Sequence, residues 1–352
     1  MREFAMRLFP TLTHFRFVIQ LLTFLLSVYG ALLVGHYAAE KISTALPALS
    51  CAYDGLNGGY CVLVPLQHQM DHRVGAAIVR AQQVTVQVLI PVFFTLSTFL
   101  LFFFILGKAF CAWVCPLGTI QEWLYRLGRK LGFANRNVPA ASIGKLRPVK
   151  WLILIGLVFV LPLLVGLGYA PQTAGNPYCD ICPSRIITTL LTGNTEELAL
   201  KVSDGVSLSL GIIGNILVGF VIAAALAVRQ PFCRICPMLA MNAIFRHASL
   251  LRLVKVENPK CDKCGICTRA CPMDIPEIHH EHGRKAYNED CTLCGRCAEF
   301  CPDDQVIKLK LGPLTLFSSS REYYKKRLKI ETPEGEIKPI RIYRKEAVTR
   351  GD

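Results

Sequence analysis

The sequence predicts an α-helical membrane protein with a cysteine-rich α+β domain towards its C-terminal end, on three observations. Only 18% of its 352 residues are charged and 52% are hydrophobic, whereas a soluble chain carries about a quarter charged residues. Four apolar stretches are long enough to cross a hydrocarbon core, which takes about 20 residues. Of the 16 cysteines, fourteen stand in short clusters that close on Cys-Pro or repeat Cys-x-x-Cys. That is metal-ligand spacing rather than a scattered disulfide framework. A disordered chain is ruled out, and an ordinary soluble enzyme fits poorly. The net charge of +14 needs no nucleic acid, since basic cytoplasmic loops account for it in a membrane protein.

The expected spans are roughly Phe15–Gly35, Val84–Gly107, Trp151–Ala170 and Val206–Val228. The first is read as an uncleaved helix, because its apolar run is too long for a signal peptide and no small-x-small cleavage site follows. Orientation comes from the basic residues. The segment 108–150 holds eight Lys/Arg against the single acid Glu122. By contrast, 37–81 has three residues of each sign, and 171–205 has two basic residues against four acids. The positive-inside rule puts both termini and the 108–150 loop in the cytoplasm of a bacterial inner membrane.

Each outward loop carries a cysteine pair, Cys51 and Cys61 in the first and Cys179-x-x-Cys182-Pro183 in the second. Disulfides are the default on an oxidising side, and an outer metal centre of these four is the alternative. His36, His68 and His72 fall on the same side, where an imidazole can bind a quinone headgroup and accept its proton. Two half-motifs follow the second and fourth spans, Cys111-x-x-x-Cys115-Pro116 and Cys233-x-x-Cys236-Pro237. After each comes an amphipathic segment expected to lie in the interface, Leu117 to Leu131 and Met238 to Leu251. The layout is two parallel copies of span, loop, span, Cys–Cys–Pro. Such a repeat would gather Cys111, Cys115, Cys233 and Cys236 at one level, as a third metal centre or as free thiols.

Cys261-x-x-Cys264-x-x-Cys267-x-x-x-Cys271-Pro272 recurs as Cys291-x-x-Cys294-x-x-Cys297-x-x-x-Cys301-Pro302. This is the two-cluster ferredoxin spacing, in which the fourth cysteine of each run ligates the other cluster. One [4Fe–4S] cubane would take Cys261, Cys264, Cys267 and Cys301. The other would take Cys291, Cys294, Cys297 and Cys271. Two identical runs, each closed by Cys-Pro, argue against zinc. The chain then divides into a cytoplasmic N-terminus at 1–14, a four-helix membrane domain at 15–250, the ferredoxin domain at 251–312 and a basic tail at 313–352.

These motifs and spans together resemble the NapH-type membrane ferredoxins and their relatives MauN and NosR. The resemblance implies an electron-transfer subunit that oxidises membrane quinol and passes electrons to a periplasmic redox partner. A cytoplasmic donor fits the same residues. The other reading is a maturation or regulatory ferredoxin, similar to FixG/CcoG-type proteins, that reduces a metal or thiol in another complex. Cys51, Cys61, Cys179, Cys182 and the tail have no counterpart in the NapH pattern, and the C-x-x-C-P form of the Cys233 motif departs from it.

Overall fold

A computed structural model describes residues 11–34, 53–54, 58–59, 63–81, scattered positions between 89 and 101, 104–133, 140–195, 198–200, 202, 204–256, 261, 264–283 and 287–325. Three helices among them are long and apolar enough to cross a membrane: Leu12–Gly30, Ser142–Gly166 and Gly205–Ala227. Most of the expected Val84–Gly107 span lies outside the described residues, so four spans stand as an expectation. The third span begins earlier than its apolar run, because the helix starts at Ala140 and carries Lys145, Arg147 and Lys150 in its first turns. Those turns hold the C-terminal domain. The N-terminus of Gly205–Ala227 is capped by Asp204, whose carboxylate accepts from Ser207 N at 2.8 Å.

The two segments expected to lie in the interface differ from that expectation. Pro116–Lys130 is helical, but its inward face includes Leu117, Gly118, Gln121, Glu122 and Gly128, while Leu127 is exposed and Leu131 beyond it also. Two polar residues are buried there because each has a partner in another element. Pro237–Ile244 is buried from Pro237 through Ala243 and is a core helix, and Leu251 leaves helical structure to open a strand. Its residues are almost all apolar, and neighbours cover all of it but Ile244 at its end.

The C-terminal domain has one antiparallel sheet in which Ile307–Leu311 pairs with Leu251–Lys255 on one side and Leu314–Ser318 on the other. The sheet therefore takes in residues beyond 312. Leu251, Leu253, Ile307 and Leu309 point inward, the alternation of a sheet with one covered face. That face packs on Cys271, Cys291, Cys297 and Cys301, and the same core continues to Cys111, Trp113, Cys233 and Cys236 of the membrane domain.

Glycines set how closely the helices cross. A Cβ on Gly128 would lie 1.9 Å from the Leu226 carbonyl oxygen, and one on Gly166 would lie 2.2 Å from that of Asp71. Each contact is against backbone, so only a shift of a whole helix would relieve it. Gly219 has open space around it. Gly128→Ala or Gly166→Ala is expected to cost about 1–3 kcal/mol, lowering the thermal midpoint in detergent, with Gly219→Ala close to neutral in the same assay.

Candidate metal centres

Each ferredoxin run builds its loop in the same way. Gly265 and Gly295 take positive φ of 72° and 75° and start the short helices Ile266–Ala270 and Arg296–Glu299. A side chain is strained there, and a Cβ on Gly295 would also meet Leu12 at 2.7 Å. The structure sorts the eight cysteines into two hollows. Cys261, Cys264, Cys267 and Cys301 line one, and Cys271, Cys291, Cys294 and Cys297 line the other. Those are the two sets expected from the exchange of the fourth cysteine. Burial pushes the Cys291 thiol up to about 11 and the Cys301 thiol to about 12. Left alone, such thiols stay neutral, and a cation is what makes them thiolates. A donor set of four sulfurs around each hollow fits a cubane.

The inner half-motifs also meet. Cys111, Cys115, Cys233 and Cys236 line one cavity of about 290 Å³. Cys115 and Cys236 each precede a proline that starts a helix, with ψ of 118° and 125°. The bulk of proline disfavours helical backbone at the residue before it, and proline at the first helical position costs no hydrogen bond. Each thiol therefore sits at a helix N-terminus, where partial positive charge favours an anionic centre. Burial raises the Cys233 thiol to about 12 and pushes Cys236 up as well, with the neighbouring thiols Cys233, Cys111, Cys115 and Cys182 adding to the rise at Cys236.

Two amides that sequence reasoning missed hold these sulfurs. Gln121, six residues after Cys115, donates from Nε2 to Cys233 Sγ at 3.6 Å, and its Oε1 accepts from Phe232 N at 3.1 Å. Asn242, six residues after Cys236, donates to Cys111 Sγ at 3.7 Å. Each half-motif thus supplies the donor for the other's cysteine. That reciprocity is what a twofold relation between the halves produces. The amide six positions after both Cys115 and Cys236 is the sequence signal for these donors.

Cys179 and Cys182 do not lie apart at an outer face. Both line the same 290 Å³ cavity as the inner four. Cys51, Cys61 and His36 lie outside the described residues. His68 and His72 are exposed, with ring centroids 4.4 Å apart, and His72 Nε2 is 3.5 Å from the Asp71 carboxylate. At the other end of the molecule, His14, Phe17, Tyr125 and five cationic residues line a second cavity of about 620 Å³.

Charge locks the C-terminal domain onto these sites. Arg147 pairs with Asp290 at 2.7 Å and with Glu277, while buried Lys150 pairs with Glu289 at 3.2 Å and with Asp290. Trp113 Nε1 donates to the Leu293 carbonyl at 3.0 Å, and Arg16 reaches the Cys294 carbonyl at 3.4 Å. Arg16 also pairs with Glu122 at 2.6 Å, and Gln20 donates to the same carboxylate at 3.2 Å. Burial alone would raise the Glu122 carboxyl, but Arg16, Arg296 and Arg126 outweigh it and hold it at about 2.

Sulfur hollows of this kind, set against apolar membrane-length helices, define an iron–sulfur membrane protein of ferredoxin type. The 4Fe-4S binding domain family matches residues 88–134 and again 210–255, each around one inner half-motif, and the 4Fe-4S dicluster domain family matches 260–307. The homologues include the ferredoxin-type proteins NapH and MauN and the protein NosR. NapH of Haemophilus influenzae is 25% identical over 53% of this chain and 55% of its own. For the regulatory protein NosR of Pseudomonas aeruginosa the figures are 30%, 56% and 25%. The uncharacterized protein MJ0750 of Methanocaldococcus jannaschii is 30% identical over 49% of this chain and 61% of its own. The chain thus spans less than two thirds of each of these relatives. No solved structure matches it.

Removing Glu122 leaves the buried Arg16 guanidinium without its carboxylate, and removing Arg16 leaves Glu122 to the more exposed Arg126 at 2.9 Å and Arg296 at 3.8 Å. Arg16→Gln and Glu122→Gln should each cost roughly 3–5 kcal/mol, with the double variant costing clearly less than their sum in a denaturation cycle. Because the folded carboxyl titrates at about 2, its contribution is complete above the unfolded value of about 4.3. It is lost only as pH falls through about 2, so the cycle should give the same coupling at pH 6 and pH 8.

Proposed function

We propose that the chain conducts electrons between a cytoplasmic-side dicluster domain and the membrane interior, linking a quinol pool or cytoplasmic donor to a redox partner across the bilayer. The observation that carries this reading is the contact between sites. Thr292, next to Cys291 of the second ferredoxin hollow, also lines the cavity of the inner cysteine pairs. Cys261, Cys264, Cys267 and Cys301 would hold one [4Fe–4S] cubane, and Cys271, Cys291, Cys294 and Cys297 a second. Cys111, Cys115, Cys233 and Cys236 would hold a third. A cubane so held supplies one-electron transfer with little rearrangement of its ligands. The chain's own part is to exclude water, fix the sulfurs and supply donors that tune them. Gln121, Asn242 and the helix N-termini after Cys115 and Cys236 do this at the third site. Lys108 Nζ donates to the Asn288 carbonyl at 3.0 Å, placing a cation beside the second hollow.

The fourth span, the bacterial inner membrane and cytoplasmic termini follow from hydropathy and the basic 108–150 segment. With them, protease should degrade the C-terminal domain in inverted vesicles and spare it in spheroplasts. For quinone, His68 and His72 are candidates at one end and the cavity of His14, Phe17 and Tyr125 at the other. The relative NapH is a ferredoxin-type protein, which favours the respiratory reading. NosR is called a regulatory protein, which favours a maturation or regulatory role as the second.

Cys115→Ser with Cys236→Ser should lower bound iron by one cubane per chain, while the spectra of two cubanes persist. Unchanged iron would leave these cysteines as free thiols. In vesicles loaded with an electron acceptor, the native protein should sustain steady flux from external quinol or reduced ferredoxin. A single turnover followed by arrest would instead favour the regulatory reading.

A further inference from the structure

The second cysteine pair reproduces the inner one contact for contact. Gln67, which is buried, donates from Nε2 to Cys179 Sγ at 3.0 Å while its Oε1 accepts from Tyr178 N at 3.2 Å. Gln121 makes the same two bonds to Cys233 and to Phe232 N. Both glutamines also bond back to their own helix, Gln67 to the Leu63 carbonyl at 2.9 Å and Gln121 to that of Leu117 at 3.2 Å. All of these residues are displaced by one constant offset of 54, so that 67, 178, 179 and 182 map onto 121, 232, 233 and 236. In sequence, Cys61 stands six residues before Gln67, as Cys115 stands before Gln121. Cys182 shares the backbone of Cys236, with ψ of 118° before the proline that opens Pro183–Leu191.

The placement of this pair is as specific as its bonds. A Cβ on Gly214 would touch the Asp180 carbonyl oxygen at 3.1 Å and Ile181 Cα at 3.4 Å. Gly214 is the tenth residue of the 23-residue helix Gly205–Ala227, which puts it about 14 Å of helical rise from its start. The Cys179–Cys182 turn therefore dips alongside the middle of a span. It shares its cavity with the inner pairs there. Cys179 is buried in the same packed core against which Cys182, Cys111, Cys115 and Cys236 lie. A turn of surface thiols or a stabilising disulfide requires neither this depth nor a buried amide aimed at the sulfur.

We infer that Cys179 and Cys182 supply two of the thiolate ligands of a further iron–sulfur centre of the cubane class, beside the centre of the inner pairs and towards the opposite end of the spans. The inference rests on reading the inner pairs as cluster ligands, since it argues from their duplicate. With a hydrocarbon core about 30 Å thick, a centre at mid-depth divides the crossing into shorter steps. Cys179 then has the place that Cys233 has in the inner site, and Gln67 that of Gln121.

The test uses the full-length protein purified in detergent. Cys179→Ser with Cys182→Ser should lose one cubane's iron and acid-labile sulfide per chain and one paramagnetic signal, with the inner and ferredoxin signals intact. Unchanged iron and sulfide overturn the inference and leave the two as free or bridged thiols. Loss of the inner centre's signal as well also overturns it, making the two cysteines part of that centre. Gln67→Leu keeps every thiol, so it covers the case in which the serine variant does not fold. It should lower the reduction potential of one centre, because a hydrogen bond to sulfur is removed. A titration in which no potential moves rejects the inference. Cys115→Ser with Cys236→Ser, run in parallel, shows separately whether the inner reading fails.

Discussion

A cysteine followed by proline is pressed out of helical backbone, while the proline is itself a favourable first residue of a helix. Among the described residues, the membrane-domain cavity and the second ferredoxin hollow use that constraint. Cys115, Cys182, Cys236 and Cys271 have ψ between 118° and 125°, so each thiol is presented just off the end of a short turn or helix. In the three membrane-domain cases the proline opens a helix whose N-terminus faces the cavity. Sulfurs placed this way are fixed by backbone alone, before any metal binds. Fixed ligands and a slightly positive surrounding suit a centre that changes charge by one electron without moving.

Keeping such sites in contact requires the C-terminal domain to dock in one orientation. Apolar packing joins the two through the core shared by Cys271, Cys297, Trp113 and Cys236. Apolar contact is poorly directional, however. The direction comes from the first turns of the Ala140–Ile153 helix, where Arg147 and Lys150 meet Glu277, Glu289 and Asp290. On the other flank, Arg16 of the first span bridges Glu122 and the Cys294 carbonyl. Asp290 is pushed up by burial, and the bonds and charges of Lys150 and Arg147 more than reverse this, so it is an anion across the working range.

The repeated amide connects architecture to function. Gln121 and Asn242, each six residues after a cysteine, reach the other half-motif's sulfur rather than that of their own. The sulfur sites are consequently assembled only when the halves pack. This fits a membrane protein built on paired helical units, in which ligand sites form at the repeat interface. It also fits the two separate matches of the 4Fe-4S binding domain family, one for each half.

The sequence by itself determined the chemistry. Eight ferredoxin cysteines at fixed spacing mark iron–sulfur chemistry, and the fold gathers them four to a hollow. Low charge and long apolar runs determined the membrane class, because burial in lipid is a property of composition. Tertiary structure decided what depends on distance between segments. It brought Cys179 and Cys182 into one cavity with Cys236, next to Gly214 of the Gly205–Ala227 helix, which their place in the chain does not reveal. It buried Glu122 on a helix whose Leu127 faces out, because Arg16 lies more than a hundred positions away in the chain. It turned Met238 and its neighbours into core and Leu251 into strand, since an apolar segment does not say which surface will cover it. Gln67, Gln121 and Asn242 are ordinary polar residues in sequence, and only the fold aims their amides at sulfur.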